Sequence, residues 1–223
     1  MTATRDKWEE GLPEEVAFWE DWLAGRTRYA EDRALRLSSG RPFPWWAKPL
    51  IPGNPKRIRV LDVGAGPVTA LGNVWEARTI SIVPVDPLAR EYDAVLGKYG
   101  ITPPIRTRYG VGEKLVEQFG PESFDFAYAC NCLDHALDPV ECYRQMLAVL
   151  RPGCSLVTFH EANEAEHQNY AGLHQWNFSV RDNRLLVWNA GGETDVVAEC
   201  ELAGGFRIEA ERQYIKMTLT RKT

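Results

Sequence analysis

The sequence lacks the features of a nucleic-acid-binding or membrane protein. Its 223 residues include 26 Lys and Arg against 31 Asp and Glu, a formal net charge of -5, and no Lys/Arg-rich tract. Since nucleic-acid binding depends on neutralising phosphates, this balance argues against a DNA or large RNA partner. No apolar run approaches the roughly 20 residues of a membrane span, and the first residues lack the apolar core of a signal peptide. We expect a cytoplasmic protein without a nucleic-acid or membrane partner; the oligomeric state stays open.

Cysteine is scarce and follows no repeating pattern. An odd number suits free thiols in a reducing compartment better than a disulfide scaffold, and we interpret the five as packing residues: Cys130, Cys132, Cys142, Cys154 and Cys200. Hydrophobic residues make up 44% and charged residues 26% of the chain, which is typical of a water-soluble domain. The length fits one sizeable α/β domain, or such a domain with a short appendage.

Apolar runs and helical patterns alternate from Arg57 onward. We predict strands at 58–63, 79–85, 105–109, 124–130 and 155–159, and between them helices around 68–75, 88–99, 113–119 and 140–150. Alternation of this kind predicts an α/β fold with a Rossmann-like, mostly parallel sheet and helices on both faces. Residues 206–210 and 215–219 alternate like a closing antiparallel pair, so the C-terminal strand is expected to be antiparallel, and 178–188 predicts a hairpin turned at Asp182-Asn183.

The N-terminal part has a different pattern. Residues 13–24 predict a helix with Val16, Trp19 and Leu23 on one face, and 40–55 is a Pro-rich connector containing Trp45 and Trp46. We therefore divide the chain into an N-terminal helical cap and linker, residues 1–56, and a cofactor-binding domain, residues 57–223.

A glycine-rich turn follows the first strand. The strand leads directly into Gly64-Ala65-Gly66, and Asp86 ends the second strand twenty residues after Gly66. Ligands of open α/β sheets bind beyond the carboxyl ends of the strands, where glycines let a ligand approach the backbone. A carboxylate at the end of the second strand can bind both hydroxyls of a ribose.

Two cofactor classes compete for this turn. A dinucleotide fingerprint reads G-x-G-x-x-G, and its third glycine position is Thr69 here. Asp62, two residues before the first glycine, is foreign to that fingerprint but suits the ammonium group of an amino-acid-like cofactor. The residues favour a cofactor without phosphate, and an NAD-linked oxidoreductase is the alternative.

Five segments in order resemble motifs of the class I S-adenosylmethionine-dependent methyltransferases, over roughly residues 58–223. They are 60–67, 85–88, 110–115, 124–135 (which includes Leu133-Asp134-His135 in place of a Leu-Glu-His) and 150–154. The resemblance implies an enzyme with the class I fold that uses S-adenosyl-L-methionine and releases S-adenosyl-L-homocysteine.

The same resemblance implies a role for individual residues. Gly64 and Gly66 pass beneath the methionine part, Asp62 lies near its amino group, and Asp86 binds the ribose. Val111 replaces the Asp that contacts adenine in the family, so backbone groups or Glu113 would hold adenine. Pro87 and Asn131 complete the expected cofactor site.

The acceptor side is expected among the histidines. A hydroxyl or protonated amine acceptor needs a base to remove its proton, and histidine is the usual choice. The candidates are His135, His160 and His174, which follow or end the fourth and fifth strands. Each has a structural alternative, as a helix cap, a buried strand end or a loop anchor respectively. The fourth histidine, His167, is expected to be a solvated helix residue.

The segment 160–177 is dense in hydrogen-bonding groups and is expected to form the acceptor wall. Its predicted substrate-binding residues are Glu161, Asn163, Glu164, Tyr170 and Trp176. The carboxylates suit a cationic or polyhydroxylated acceptor. The Asn-Glu-Ala and Gly-Leu-His-Gln-Trp-Asn elements here resemble a subgroup of bacterial methyltransferases, and that resemblance names no substrate.

A metal site is an alternative for the same segment. His160, Glu164 and His167 would share one face of a helix, and such ligands can hold zinc. Because His160 is expected to end a strand, we predict no metal. The predicted function is methylation of a hydroxyl or amine of a small-molecule metabolite; besides the oxidoreductase, a non-catalytic adenosyl-cofactor-binding module and a macromolecular acceptor remain alternatives.

Overall fold

The computed structural model describes residues 5–53 and 55–223. Residues 1–4 of the expected cap and residue 54 of the expected linker lie outside the described residues. The helices are α1 (Arg5–Leu23), α2 (Ala30–Arg36), α3 (Ala89–Lys98), α4 (Leu115–Phe119), α5 (Pro139–Val149) and α6 (Glu164–His167). The strands are β1 (Arg57–Val63), β2 (Thr79–Asp86), β3 (Arg108–Tyr109), β4 (Phe124–Cys130), β5 (Leu150–Glu161), β6 (Asn177–Arg181), β7 (Arg184–Asn189), β8 (Gly192–Asp195), β9 (Ala203–Glu211) and β10 (Tyr214–Arg221).

A seven-stranded sheet organises the chain in the order β3-β2-β1-β4-β5-β10-β9. Neighbours among β1 to β5 pair in parallel, whereas β10 pairs antiparallel with both β5 and β9. The predicted α/β fold with an antiparallel C-terminal strand is confirmed. The strand order reverses between β1 and β4, and ligands of open α/β sheets bind at such a point.

The hairpin at 178–188 is also confirmed. It comprises β6 and β7, and both residues of its turn, Asp182 and Asn183, have positive φ (51° and 57°), as a two-residue hairpin turn of this hand requires. A third strand, β8, extends the hairpin into a small separate sheet.

The helix predicted between β1 and β2 is wrong. Residues 64–78, all of which the structure describes, form turns and extended chain. Val74 pairs instead with the N-terminal connector, donating its N–H to Arg41 O (3.1 Å) and accepting one from Phe43 (2.8 Å). Val68 and Leu71 are buried as predicted. These two apolar residues are buried in an extended segment and do not form the face of a helix.

Two strand boundaries also differ from the prediction. The third strand is limited to Arg108–Tyr109, because Arg106 bridges to Val68 rather than to β2. The fifth strand begins at Leu150, directly after α5, and runs through Gly153, which has φ of 75°. Its pairing with β4 shifts register between Phe124 and Phe126. Residues 150–154, which were expected to precede the strand, are therefore part of it.

Two layers cover the faces of the sheet. On one side α4, α5 and the small sheet contribute Leu115, Tyr143 and Phe178 to the largest core cluster. On the other side the Pro-rich connector packs Phe43, Ala47 and Ile51 against β1, β2 and β4. Of the expected aromatic pair, Trp46 packs against this cluster and Trp45 is exposed.

Helix α1 covers the carboxyl ends of the strands. It starts at Arg5, eight residues before the predicted helix start at Pro13, and places Trp22 and Leu23 in a third cluster with Val95 and Leu96 of α3. Helix α1 therefore caps the edge of the sheet where a ligand would bind.

Within the described residues, no helix is long and apolar enough to cross a membrane.

Candidate functional site

The glycine turn after β1 has the backbone that the motif requires. Gly64 and Gly66 both have positive φ (65° and 63°), which side-chain-bearing residues rarely adopt. Neither glycine has room for a side chain: a Cβ on Gly64 would lie 2.5 Å from Cys132 Sγ, and one on Gly66 would lie 2.6 Å from the Trp19 ring. Cys132, which follows β4, and Trp19 of α1 therefore flank the turn.

Two buried carboxylates lie beside this turn at the ends of β1 and β2. Asp62 accepts a hydrogen bond from the Thr69 hydroxyl (2.5 Å). Asp86 accepts one from Gly66 N–H (3.0 Å) and one from Leu88 N–H (2.9 Å). Burial raises the pKa of each carboxyl to about 7, because a charged carboxylate loses solvation there. Both favour a ligand that brings positive charge or hydrogen-bond donors.

These features fit S-adenosylmethionine better than a dinucleotide. Its amino-acid part carries an ammonium group and its ribose offers two hydroxyl donors, which match Asp62 and Asp86. A dinucleotide would need a helix N-terminus after the glycines to bind its pyrophosphate. The fully described segment 64–78 contains no helix, so that feature is missing where it would be needed.

The other predicted cofactor residues lie around the same edge. Pro87 is half-buried directly after Asp86. Glu113 Oε1 accepts from the N–H groups of Leu137 (2.9 Å) and Asp138 (3.1 Å), and so anchors the loop before α5. Asn131 is exposed at the end of β4, and its Oδ1 accepts from Glu161 N–H (3.0 Å).

Two of the three candidate bases meet after β4. His174 Nδ1 lies 2.7 Å from Asp134 Oδ2 and 3.1 Å from His135 Nε2. Burial acts to raise the pKa of Asp134, but the His135 charge and the His174 hydrogen bond outweigh it and hold that pKa below its usual value. An ionised carboxylate can only accept, so we assign the donated proton to His174 Nδ1. His174 Nε2 then keeps its lone pair, the arrangement of a general base.

The environment of His174 tunes it further. Burial lowers the pKa of the imidazole, while the hydrogen bond and the charge of Asp134 raise it; the balance is a pKa above the usual value. Cys132, two residues before Asp134 and three before His135, lies against Gly64. The histidine cluster is thus close to the glycine turn.

The third candidate base, His160, lies in the core. Its ring stacks on Phe178 with centroids 3.8 Å apart, and its Nε2 hydrogen-bonds to Tyr143 Oη (2.7 Å) and Thr158 Oγ1 (2.9 Å). Burial lowers its pKa to about 3. His160 is only 2% exposed, so its ring faces the core rather than solvent.

The predicted acceptor wall divides into buried and accessible members. Trp176 is buried, and its Nε1–H donates to Ala136 O (2.9 Å). Tyr170 Oη accepts from Asn177 Nδ2 (3.0 Å). Asn163 has φ of 55°, and its buried Oδ1 has no hydrogen-bond partner among the described residues.

Glu161, Glu164 and the exposed His167 form a second cluster of ionisable groups. Their ligating atoms lie within 4.8 Å of one another, as do those of Asp134, His135 and His174. Burial and then the neighbouring Glu164 carboxyl raise the pKa of Glu161. His160, which the sequence grouped with Glu164 and His167, is not part of this cluster.

The sequence did not reveal the contribution of α1. Trp8 Nε1–H donates to His135 O (2.9 Å), Glu15 Oε2 lies 3.8 Å from His135 Nδ1, and Trp19 covers Gly66. The only sequence signal was Trp19 on the apolar face of a predicted helix. Cys132, interpreted as a packing residue, does pack, but against the glycine turn; its Sγ lies 3.2 Å from Val63 O.

Several solved structures with similar folds are described as methyltransferases. A S-adenosylmethionine-dependent methyltransferase of Thermotoga maritima, described as a possible histamine N-methyltransferase, aligns with TM-score 0.56 and 15% identity over 93% of this chain and 100% of its own. A methyltransferase candidate in complex with the Trm112 methyltransferase activator of Haloferax volcanii aligns with TM-score 0.51 and 15% identity, over 92% and 97% of the two chains.

A longer protein also aligns. The solved chain of the CurJ carbon methyltransferase aligns with TM-score 0.49 and 15% identity over 76% of this chain and 50% of its own length. No curated protein sequence matches the chain. A family profile described as "Methyltransferase domain" matches residues 27–190, most of the chain. The protein therefore belongs to the methyltransferase-domain family, with the class I fold whose cofactor is S-adenosylmethionine.

Proposed function

We propose that this methyltransferase transfers the methyl group of S-adenosylmethionine to a hydroxyl or amine of a small molecule, with His174 as the base. The observation that carries the proposal is the Asp134–His174–His135 cluster beside the cofactor edge. Methyl transfer from a sulfonium is an in-line displacement, so the protein mainly aligns the acceptor and excludes water. A base is needed only where the acceptor atom holds a proton at neutral pH.

Asp134 positions His174 in this scheme. The 2.7 Å hydrogen bond between them holds one tautomer, with the lone pair on Nε2, and the carboxylate stabilises the imidazolium that forms when the acceptor's proton arrives. His135 stabilises the position of this pair, because its Nε2 contacts His174 Nδ1 (3.1 Å). His160, without access to solvent and with its Nε2 engaged, is assigned a structural role.

The cofactor is held by groups of the chain's own turn. Asp62 would bind its ammonium group, Asp86 its ribose hydroxyls, and Gly64 and Gly66 would pass beneath its methionine part. Because Trp19 lies against Gly66, the cofactor requires this side chain, and with it part of α1, to shift. When bound, the cofactor supplies the activated methyl group.

The acceptor is proposed to bind between the His174 cluster and the carboxylates of the 161–164 segment. Glu161 is half-buried and Asn131 is exposed at the same rim, so both are available to a polar acceptor. Negative charge there favours a cationic or polyhydroxylated molecule over an anion.

Calorimetric titration tests the cofactor assignment. The purified protein is titrated with S-adenosylmethionine, S-adenosylhomocysteine and NAD in parallel; micromolar binding of the two adenosyl compounds and none of NAD is expected. Binding of NAD alone would overturn the proposal.

Transfer of a labelled methyl group to a panel of small amines, phenols and alcohols tests the chemistry. The active acceptor should then respond to His174→Asn, while Asp93→Asn, which breaks a surface ion pair with Arg106, serves as the control. Full activity of His174→Asn would remove the base from the mechanism.

A further inference from the structure

Three metal-ligating side chains gather where β5 passes into α6. Glu161 is the last residue of β5, and Glu164 and His167 are the first and last residues of α6. Residues three apart lie on the same side of a helix, so Glu164 and His167 face the strand end together. Their ligating atoms and that of Glu161 are mutually within 4.8 Å.

Glu164 supplies an independent indication that a ligand belongs here. The residue is only 6% exposed. Its Oε1 accepts from Gln168 Nε2 (3.0 Å), but its buried Oε2 has no hydrogen-bond donor among the described residues. A buried carboxylate oxygen without a partner is costly, and the neighbouring Glu161 carboxyl adds negative charge. A cation between the two carboxylates would remove both penalties.

We propose that Glu161, Glu164 and His167 bind a divalent transition-metal cation of the Zn²⁺ or Mn²⁺ type. An imidazole nitrogen with two carboxylate oxygens favours such ions over Mg²⁺ and Ca²⁺, which prefer oxygen ligands alone. Three protein ligands leave a coordination position open to water or to a bound molecule. This site differs from the sequence-based alternative of His160, Glu164 and His167, because Glu161 takes the place of the buried His160.

The neighbouring Asp134–His135–His174 cluster has similar spacing, but its ligating atoms already contact one another. Asp134 Oδ2 already accepts from His174, and both histidines contact each other through ring nitrogens. The proposed metal site is therefore separate from the proposed base, and its test does not depend on methyl transfer.

The experiment is calorimetric titration of EDTA-treated, dialysed full-length protein with Zn²⁺, and in parallel with Mg²⁺. One Zn²⁺ per chain is expected, with much weaker binding of Mg²⁺. Glu164→Gln and His167→Asn should each lower the Zn²⁺ affinity at least about 100-fold, since even outer-shell partners contribute roughly 10–100-fold. Glu166→Gln, which removes an exposed carboxylate from the same helix, and His174→Asn should retain wild-type affinity.

Wild-type Zn²⁺ affinity in Glu164→Gln and His167→Asn would overturn the proposal, as would its loss in His174→Asn alone. The thermal unfolding midpoint without metal checks that the variants fold. Glu161→Gln, at a half-buried position, provides a third ligand variant: the proposal expects it to lose Zn²⁺ binding, and retention of that binding contradicts the proposal. Addition of Zn²⁺ should raise the midpoint of the wild type, of Glu166→Gln and of His174→Asn, but not that of the variants at Glu161, Glu164 and His167.

Discussion

Replacing Asp62 by Asn should stabilise the protein in the absence of cofactor. Asp62 is 2% exposed at the end of β1, and the Thr69 hydroxyl donates to it. Burial raises the pKa of its carboxyl from 3.8 to about 7, which means that the folded state resists its ionisation. An Asn side chain removes the charge and keeps an oxygen that can accept from Thr69.

The size and sign of the effect follow from the pKa of Asp62. One pKa unit corresponds to about 1.4 kcal/mol, so a rise from 3.8 to about 7 costs about 4 kcal/mol once the group is ionised. The folded state binds more protons than the unfolded state between these pH values, so this contribution lowers stability as pH rises from about 4 to about 7. Asp62→Asn should therefore gain up to about 4 kcal/mol of unfolding free energy at pH 8 and little at pH 4.

Urea denaturation of the cofactor-free protein at several pH values between 4.5 and 8 measures this gain. Asp93→Asn is the control, because Asp93 forms an ion pair with Arg106 at the surface and exposed pairs contribute about 1 kcal/mol or less. A gain for Asp62→Asn that does not grow with pH would refute the reasoning. The same variant should bind S-adenosylmethionine more weakly, because the ammonium group loses its carboxylate.

Four further outcomes are expected. Asp86→Ala should weaken S-adenosylmethionine binding by about 100-fold or more in calorimetry, since hydrogen bonds to a charged group contribute about 1.5–3 kcal/mol each; unchanged affinity would remove Asp86 from the ribose. His174→Asn should lower kcat by about 10²–10⁴-fold, the usual contribution of a general base. Asp134→Asn should move the acidic limb of the pH–rate profile to lower pH, because the carboxylate raises the pKa of His174. His160→Phe should cost about 1–3 kcal/mol of stability by leaving the buried Tyr143 hydroxyl with one partner fewer, while the pH–rate profile keeps its shape.

The cofactor edge could be predicted because its signals are local. A buried strand, two glycines and a carboxylate at the next strand end define the turn within 25 residues, from Asp62 to Asp86. Parallel strands bring their carboxyl ends to one edge whatever the details of packing. The mostly parallel sheet follows from the alternation of strands and helices, and the terminal antiparallel pair from the alternating apolar residues of 206–210 and 215–219.

Long-range packing decides what the sequence predicted wrongly. Residues 68–75 have helical spacing, but Val74 pairs with Arg41 and Phe43, some thirty residues earlier. His160 has the position of a strand end in the sequence, and only the additional pairing of β5 with β10, which extends to Glu161, places it inside. The contacts of α1 with His135 span more than a hundred residues, as from Trp8 to His135. Contacts at this separation leave no local pattern in the sequence.

A common physical feature connects the sites proposed for this enzyme. Asp62, Asp86 and Glu164 are all buried carboxylates. Burial penalises the ionised forms of Asp62 and Asp86, and Glu164 has a buried oxygen without a hydrogen-bond partner among the described residues. S-adenosylmethionine would bring an ammonium group to Asp62 and two ribose hydroxyls to Asp86, and a divalent cation would bring its charge to Glu164. Each ligand offsets a cost that the ligand-free fold carries, so binding should stabilise the fold in proportion to ligand concentration over Kd. Because the two ligands act on different carboxylates, Asp62→Asn should reduce the stabilisation by cofactor alone and Glu164→Gln the stabilisation by Zn²⁺ alone.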